Sequence, residues 1–329
     1  MAGFHDILGH DSIKDHFRKA IEYGRVSHAY ILAGERGMGK KSLAKAFAMT
    51  LLCEKSDEEP CMECHSCRQM LSDNHPDVIW VTHEKPASIG VDDIRNQVND
   101  TIDIRPYSSE HKIYIIDEAE KMTAAAQNAL LKTIEEPPAY VVILLLTTNQ
   151  ELFLPTILSR CIQLKLKPLQ DSLIVQYLTE KMSLNESRAG MVAAFARGNL
   201  GRAASIAGSE EFAEMTETLL RILKSIHEMD TEKMLDTIRM MTAEFSDLNE
   251  CLDFMQLWYR DILMFKVTKD MNALIFRNEY SAISRICASS SYPGLEQVLD
   301  AIDKARVRLG ANVNKELALE LLFLTMKEN

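Results

Sequence analysis

Residues 29–42 read AYILAGERGMGKKS, an apolar run that passes through three glycines into a basic segment. Residues 29–33 predict a buried strand, and residues 41–52 predict the helix that follows. A glycine-rich turn between a strand and a helix points backbone N–H groups at phosphate oxygens, and a lysine reaches the outer phosphates. The predicted phosphate loop consists of Gly34, Gly37, Gly39, Lys40, Lys41 and Ser42.

The predicted loop departs from the general pattern at one position. Phosphate loops carry Ser or Thr directly after the lysine, because that hydroxyl ligates magnesium. Lys41 stands at this position and Ser42 comes one residue later. A helix turns by about 100° per residue, so Ser42 cannot supply the missing hydroxyl. We expect nucleotide binding to be weakened or retained and hydrolysis to be impaired, unless the loop survives only as a tight turn.

Two carboxylates follow an apolar strand pattern at residues 112–116. Asp117 and Glu118 lie about 75 residues after the loop, and in phosphate-loop ATPases such a pair orients magnesium and polarises the attacking water. The alternative is that they only begin a helix, since acidic residues favour helix N-termini. Their spacing from the loop favours a nucleotide-site ancestry, with both residues as relics rather than active groups.

The fold class follows from the alternation of patterns along the chain. Further apolar runs at residues 77–81 and 140–147 predict two more strands, and their Ile, Leu and Val content is typical of strands buried on both faces. From about residue 168 the pattern is helical. We therefore predict an α/β domain with a parallel sheet at residues 1–167, a small helical lid at 168–208 and an all-helical domain at 209–329. Leu317, Leu321 and Leu324 recur at helical spacing, which fits either an internal core or an assembly surface.

Four cysteines lie directly behind the predicted loop helix, within residues 53–67. Zinc binds four thiolates tetrahedrally, and such a closed site is structural because no position remains for a substrate. The segment has little core of its own, so metal binding would supply much of its folding free energy. Disulfides and free thiols are the alternatives, and His65 is expected to be a bystander. The predicted zinc ligands are Cys53, Cys61, Cys64 and Cys67.

Composition bounds the class of protein. The chain has 329 residues, and its formal net charge of −11 argues against a protein that coats nucleic acid with its whole surface. The start of the chain does not resemble a signal peptide, and its longest apolar run is too short to cross a bilayer. Seven cysteines without an export signal favour a reducing compartment. We expect a cytoplasmic protein without a membrane partner.

An ordered series of short segments resembles the bacterial clamp-loader branch of the AAA+ ATPases. The delta-prime type of DNA polymerase III subunit is the nearest match and the gamma/tau type the second. The match is strong over residues 1–168, moderate over the lid and mainly one of pattern beyond it. The segments that carry it are FHDILGH at 4–10, GRVSHAY at 24–30, HPD at 75–77, DEAE at 117–120, QNALLKTIEEPP at 127–138 and LSRC at 158–161.

The resemblance implies a heteropentamer with gamma/tau and delta subunits, which loads a sliding clamp onto primed DNA with ATP bound at subunit interfaces. It implies that Ser159 and Arg160 face the ATP of a neighbouring subunit. A guanidinium supplied across an interface stabilises charge on the transferring phosphoryl group. The alternative for Arg160 is a surface salt bridge at a strand end. The resemblance also implies that residues 209–329 form an oligomerisation collar.

Two departures from the family pattern separate two hypotheses. Lys41 replaces the magnesium-binding hydroxyl, and Gly201 stands where gamma-type chains carry a nucleotide-sensing arginine. Both favour a delta-prime-type subunit that donates an arginine and hydrolyses little ATP itself. A catalytically active gamma/tau-type ATPase, with Asp117 and Glu118 still working, is the alternative. ATP and Mg²⁺ are thus possible cofactors, alongside a structural Zn²⁺.

Overall fold

A computed structural model describes residues 3–55, 58–311 and 313–329. Within them, five parallel strands form one sheet in the order β2-β3-β4-β1-β5. This confirms the predicted α/β fold class and the four predicted strands, while β5 was not predicted. The strands are β1 Ala29–Ala33, β2 Val78–Val81, β3 Lys112–Ile116, β4 Val141–Thr147 and β5 Ile162–Lys165.

The helices before residue 170 surround this sheet. They are α1 Asp11–Glu22, α2 Lys40–Leu51, α3 His65–Leu71, α4 Val91–Ile94, α5 Ala124–Glu135 and α6 Pro155–Leu158. Helix α4 continues as a π-helical turn, Arg95–Asn99.

Short 3-10 turns occur in both halves of the described chain. They are Phe4–Asp6, Ala119–Lys121, Gln150–Leu152, Ile226–Glu228, Met271–Ala273 and Arg277–Glu279.

Beyond residue 170, the described chain is helical. These helices are α7 Asp171–Met182, α8 Glu186–Ala196, α9 Leu200–Ala207, α10 Glu210–Ser225, α11 Thr231–Glu244, α12 Leu248–Thr268, α13 Tyr280–Ser289, α14 Tyr292–Gly310 and α15 Lys315–Glu328. None of the helices in the described ranges combines the length and apolarity that a bilayer crossing requires.

The chain divides into two compact units. The first comprises the residues up to Leu169 together with Asn199–Gly201, and the second comprises Gln170–Gly198 and Arg202–Asn329. The finer division into a lid at 168–208 and a collar at 209–329 stays a prediction. Residues 56 and 57 of the predicted zinc module, and Asn312, lie outside the described residues.

The core of the first unit lies on both faces of the sheet. Alternate residues of β1 point to opposite sides, so Tyr30 and Leu32 join one apolar cluster while Ile31 joins the other. Helices α1 and α2 cover the first face, where the rings of Phe17 and Phe47 stack at 4.2 Å. Helices α4, α5 and α6 cover the second face. The continuous apolar strands are explained by this two-sided burial.

Helix α12 is the most buried element of the second unit, with Trp258 fully enclosed. Helix α15 presents two faces. Its inward face consists of Ala318, Leu319, Leu322, Phe323 and Met326. Its other face carries Leu317, Leu321 and Leu324, which are 49%, 41% and 43% exposed. The periodic leucines of the sequence therefore lie on the surface of this unit and not in its core.

Candidate functional site

The glycine loop connects β1 to α2 as the sequence predicts. Gly37 and Gly39 have φ angles of +90° and +99°, a backbone conformation that L side chains rarely adopt. Helix α2 then begins at Lys40, so the loop leads into a helix N-terminus, where backbone N–H groups and the helix dipole favour anions. The backbone of a phosphate cradle is therefore present.

Lys40 is bound to the loop itself. Its Nζ donates to the carbonyl oxygens of Gly34 and Glu35, at 2.5 and 2.9 Å. Only 8% of the residue is exposed, and this burial lowers the pKa of its ammonium. A phosphate group that engages Lys40 must therefore compete with two backbone carbonyls.

Lys41 forms an ion pair with the first carboxylate after β3. Its Nζ lies 2.7 Å from Oδ2 of Asp117. In phosphate-loop ATPases this carboxylate and the hydroxyl after the loop lysine hold magnesium together. Here the hydroxyl is absent and the carboxylate is paired with an ammonium group. The arrangement supplies a positive charge to the site while opposing the approach of a divalent cation.

The second carboxylate is also engaged. Glu118 has a φ of +49°, and its Oε2 accepts from Nζ of Lys121 at 2.6 Å. This hydrogen bond lowers the pKa of the Glu118 carboxyl. We predicted no role for Glu120 from the sequence. Its carboxylate accepts a hydrogen bond from Oγ1 of Thr148 at 2.7 Å, which connects residues 117–120 to the end of β4. The predicted acidic pair is thus held by protein partners on both residues.

A segment from the predicted lid lies against the phosphate loop within the first unit. Asn199 donates from Nδ2 to the carbonyl of Arg36 at 2.8 Å, and the N–H of Gly201 donates to the carbonyl of Gly37 at 3.0 Å. A Cβ added to Gly201 would lie 2.6 Å from that carbonyl oxygen, a distance that real Cβ atoms essentially never show. This backbone approach therefore requires glycine at position 201.

Arg160 lies at the opposite edge of the sheet from β2, between α6 and β5. The buried residues Ile157 and Cys161 flank it and fix the backbone, while its side chain is 39% exposed. Nη1 donates to the carbonyl of Thr156 at 3.1 Å and to Oγ of Ser159 at 3.2 Å. The side chain of Ser159 thus helps to orient the guanidinium beside it.

The four predicted zinc ligands come together in the structure. The sulfur atoms of Cys53, Cys61, Cys64 and Cys67 all lie within 4.8 Å of one another. Four sulfurs around one zinc ion, each about 2.3 Å from it, would be about 3.8 Å apart. The donor set and the spacing therefore fit a tetrahedral zinc site. His65 is exposed and does not belong to the group.

Backbone N–H groups prepare these sulfurs to be thiolates. The N–H groups of Cys61, Cys64 and Cys67 donate to the preceding cysteine sulfur of the set, at 3.3, 3.3 and 3.4 Å. N–H donors from Glu63 and Cys64 lower the pKa of the Cys61 thiol to about 6. Burial raises the pKa of the Cys67 thiol, and a bound cation would favour its thiolate form.

The remaining cysteines are packing residues. Cys161, Cys251 and Cys287 are buried, and burial raises the pKa of the first two thiols to about 12. Such thiols are inert compared with a metal ligand or a nucleophile.

Comparisons with known proteins agree with this geometry. Residues 9–170 match the family model described as DNA polymerase III, delta subunit. The delta' subunit of Bacillus subtilis strain 168 is 29% identical over 313 residues, which cover 94% of this chain and 93% of that protein. The tau subunit of the same organism is 30% identical over 294 residues, covering 83% of this chain and 52% of that protein.

The family model and these relatives support a clamp-loader subunit of DNA polymerase III. It spans about half the length of the tau relative, whereas it spans nearly all of the delta' relative. A gamma-subunit-related protein of Thermotoga maritima has 20% identity and a TM-score of 0.43, with 96% of this chain and 98% of that chain covered. Homologues of both delta' and tau types match this chain.

Measured against the family pattern, Arg202 does not replace the arginine that gamma-type chains carry at position 201. Its guanidinium lies over the ring of Phe195 at 4.9 Å and pairs with Asp253 at 3.5 Å, within the second unit. Asp253 also pairs with Arg197 and Arg306, at 3.0 and 2.8 Å. The sequence did not reveal this cluster, because its members are spread over more than a hundred residues of the chain.

Proposed function

We propose that this chain is a delta-prime-type subunit of a DNA polymerase III clamp loader. It donates Arg160 to the ATP of a neighbouring subunit and hydrolyses little or no ATP itself. The observation that carries the proposal is the ion pair between Lys41 and Asp117, because it occupies the two positions that would hold magnesium.

The backbone approach at Gly201 gives independent support. Gamma-type chains resemble this one but carry an arginine at that position, and here even a Cβ would clash with the carbonyl of Gly37. A nucleotide-sensing side chain is therefore incompatible with this conformation. Loss of the metal hydroxyl and loss of the sensing arginine affect different steps of one ATPase cycle, so their coincidence favours a subunit without turnover.

The isolated chain tests this proposal directly. We expect its ATP hydrolysis to be indistinguishable from that of the Asp117→Asn variant, since Asp117 already has an ammonium partner. Release of inorganic phosphate from purified protein is the measurement. Appreciable hydrolysis by the wild-type chain that Asp117→Asn abolishes would remove the proposal in favour of a gamma/tau-type ATPase.

Replacing Lys41 gives a complementary test of the ion pair. In Lys41→Thr, Asp117 loses its ammonium partner and a hydroxyl appears where the loop pattern places one. We expect nucleotide binding to become stronger in the presence of Mg²⁺ than in its absence, whereas the wild type shows no such preference. Fluorescent-nucleotide titration with and without Mg²⁺ measures this. Lys41→Met, which removes the charge without supplying a hydroxyl, is the matched control. If Mg²⁺ strengthened nucleotide binding by the wild type as much as by Lys41→Thr, the prediction would be contradicted.

The alternative function, a catalytically active gamma/tau-type ATPase, retains one favourable observation. The glycine loop leads into a helix N-terminus with Lys40 at its first position, an arrangement that suits phosphate binding. The same backbone would suit a nucleotide that is bound and not hydrolysed.

The exposed leucines of α15 suit the assembly that the family implies. We propose that residues 209–329 form the collar through which gamma/tau and delta subunits join this chain in a heteropentamer, which acts on a sliding clamp and primed DNA. Leu317, Leu321 and Leu324 form a continuous apolar stripe on one helix. Complete burial of an exposed leucine side chain contributes about 1.5–3 kcal/mol of hydrophobic free energy, so a partner that covers the stripe would be bound favourably.

A charge placed in the stripe should separate assembly from folding. For Leu321→Glu we expect loss of stable association with gamma/tau and delta subunits, because the carboxylate would be buried in an apolar contact. The melting temperature should change little, since this side chain is already 41% exposed. Analytical size-exclusion chromatography of the mixed subunits is the measurement. Glu320→Gln, a change next to it on the same helix, serves as the control, and normal assembly of Leu321→Glu would exclude the stripe.

For the cysteine cluster we propose one structural Zn²⁺ ion. Its four sulfur donors leave no position for a substrate, so the ion would stabilise the fold and take no part in hydrolysis.

A further inference from the structure

Helix α5 determines where the segment before Arg160 lies. Gln127, near the start of this helix, is 4% exposed and makes two bonds to that segment. Its Nε2 donates to the carbonyl of Leu152 at 3.0 Å, and its Oε1 accepts from the N–H of Leu154 at 2.8 Å. The chain therefore enters α6 at a position fixed by a buried amide of α5.

The far end of the same helix contacts the guanidinium itself. Glu135 is the last residue of α5, and its Oε1 lies 2.9 Å from Nη2 of Arg160. Gln127 and Glu135 are about 12 Å apart along the helix. The C-terminal end of a helix also favours a cation through its unpaired carbonyls. One helix thus positions both the backbone and the side chain of the Arg160 element.

We propose that Glu135 is a positioning residue for Arg160. It holds the guanidinium in the orientation that a neighbouring subunit's triphosphate would meet, and this inference rests on the proposed function of Arg160. The hydrogen bonds to Thr156 and Ser159 both come from Nη1, and the Glu135 carboxylate forms an ion pair at Nη2. These contacts do not use all five N–H donors of the guanidinium, which leaves donors for a phosphate. A long flexible side chain that is already oriented loses less entropy when it binds.

The ion pair has little structural value by itself. The side chains of Arg160 and Glu135 are 39% and 47% exposed, and exposed pairs contribute little to stability. A role in positioning can therefore be measured without a loss of folding. Glu136 follows directly in sequence and is also exposed, so it offers a charge-matched control.

The test uses a reconstituted loader in which the other subunits carry the corresponding arginine-to-alanine substitution, so that turnover reports the site served by this chain. We expect Glu135→Ala to lower kcat, by up to about 10²-fold as a 1 Å misplacement of a catalytic group can, with little change in KM. Glu135→Gln keeps an acceptor oxygen and should retain an intermediate rate. Glu136→Ala should match the wild type.

A double variant provides the decisive comparison. If Glu135 acts through Arg160, Glu135→Ala should cause no further loss when Arg160→Ala is already present. Unchanged or raised turnover in Glu135→Ala, with turnover lost in Arg160→Ala, would overturn the positioning role and leave the proposed function standing. The positioning role would also be overturned if Glu135→Ala lowered turnover by the same factor in the Arg160→Ala background as it does in the wild type. Unchanged turnover in Arg160→Ala alone would instead refute the proposed function.

Discussion

Arg160→Ala should abolish turnover at one ATP site of the assembled loader while leaving this chain folded. A guanidinium supplied in trans to a transferring phosphoryl group accelerates hydrolysis by about 10³–10⁵-fold. The served site should lose an effect of that order, so the total ATPase rate of the complex should fall to that of its remaining sites. ATP binding should persist, because the arginine acts mainly on charge that develops during transfer.

The matched variant for this prediction is Arg160→Lys. Lysine keeps the positive charge but lacks the planar fork of donors, so it should recover only a small part of the rate. Steady-state phosphate release from the reconstituted complex gives the rate, and thermal melting of each variant verifies folding. Since the side chain is 39% exposed, the melting temperature should be almost unchanged. Full turnover with Arg160→Ala would show that Arg160 has no role in hydrolysis and forms only a surface salt bridge with Glu135.

The fold of the first unit could be predicted because its strands are buried on both faces. Continuous apolar runs such as residues 140–147 have few alternative structures, and β4 forms at Val141–Thr147. Strand β5 was missed for the opposite reason. Ile162–Lys165 has only four residues, which lie at the edge of the sheet with alternating exposure. The alternation in I-Q-L-K is too short to predict a strand from the sequence.

The pairings within the candidate site were less predictable than its members. The sequence identified Lys41 and Asp117 separately, but their ion pair depends on β1 and β3 lying two strands apart in one sheet. Glu135 belongs to a segment that carried the family resemblance, yet nothing in its spacing connects it to Arg160. Sequence patterns record local periodicity, whereas these contacts depend on topology.

The requirement for glycine at position 201 also became visible only in three dimensions. In sequence, Gly201 marks a missing arginine. In the structure, its N–H bonds to Gly37 and its Cα faces a backbone carbonyl that any Cβ would strike. Because Gly201 has no side chain, its backbone can approach the backbone of Gly37 closely. The missing arginine and the close backbone contact are therefore two aspects of the same feature.

Disrupting the cysteine cluster should cause the largest loss of stability in the chain. Cys64 and Cys67 are buried in the apolar cluster that covers one face of the sheet, so their ligand role is coupled to the core. Glu59, from the same module, pairs with Arg18 at 2.5 Å and accepts from the N–H of Phe4 at 2.9 Å. Loss of the metal would therefore loosen contacts to α1 and to the start of the chain.

We expect protein purified without chelator to contain one zinc ion per chain, and Cys67→Ser to lose it. Structural zinc contributes about 10–16 kcal/mol of apparent binding free energy in zinc-finger peptides. Loss of only a third of this should lower the melting temperature by about 7–20 °C, at roughly 2–4 °C per kcal/mol. Cys161→Ser makes the same change at a buried cysteine of the same unit outside the group. It should cost far less, and cobalt substitution should give a tetrahedral thiolate spectrum only in proteins with all four ligands. Equal melting temperatures for the two variants, with no metal in the wild type, would show that these thiols fold without zinc.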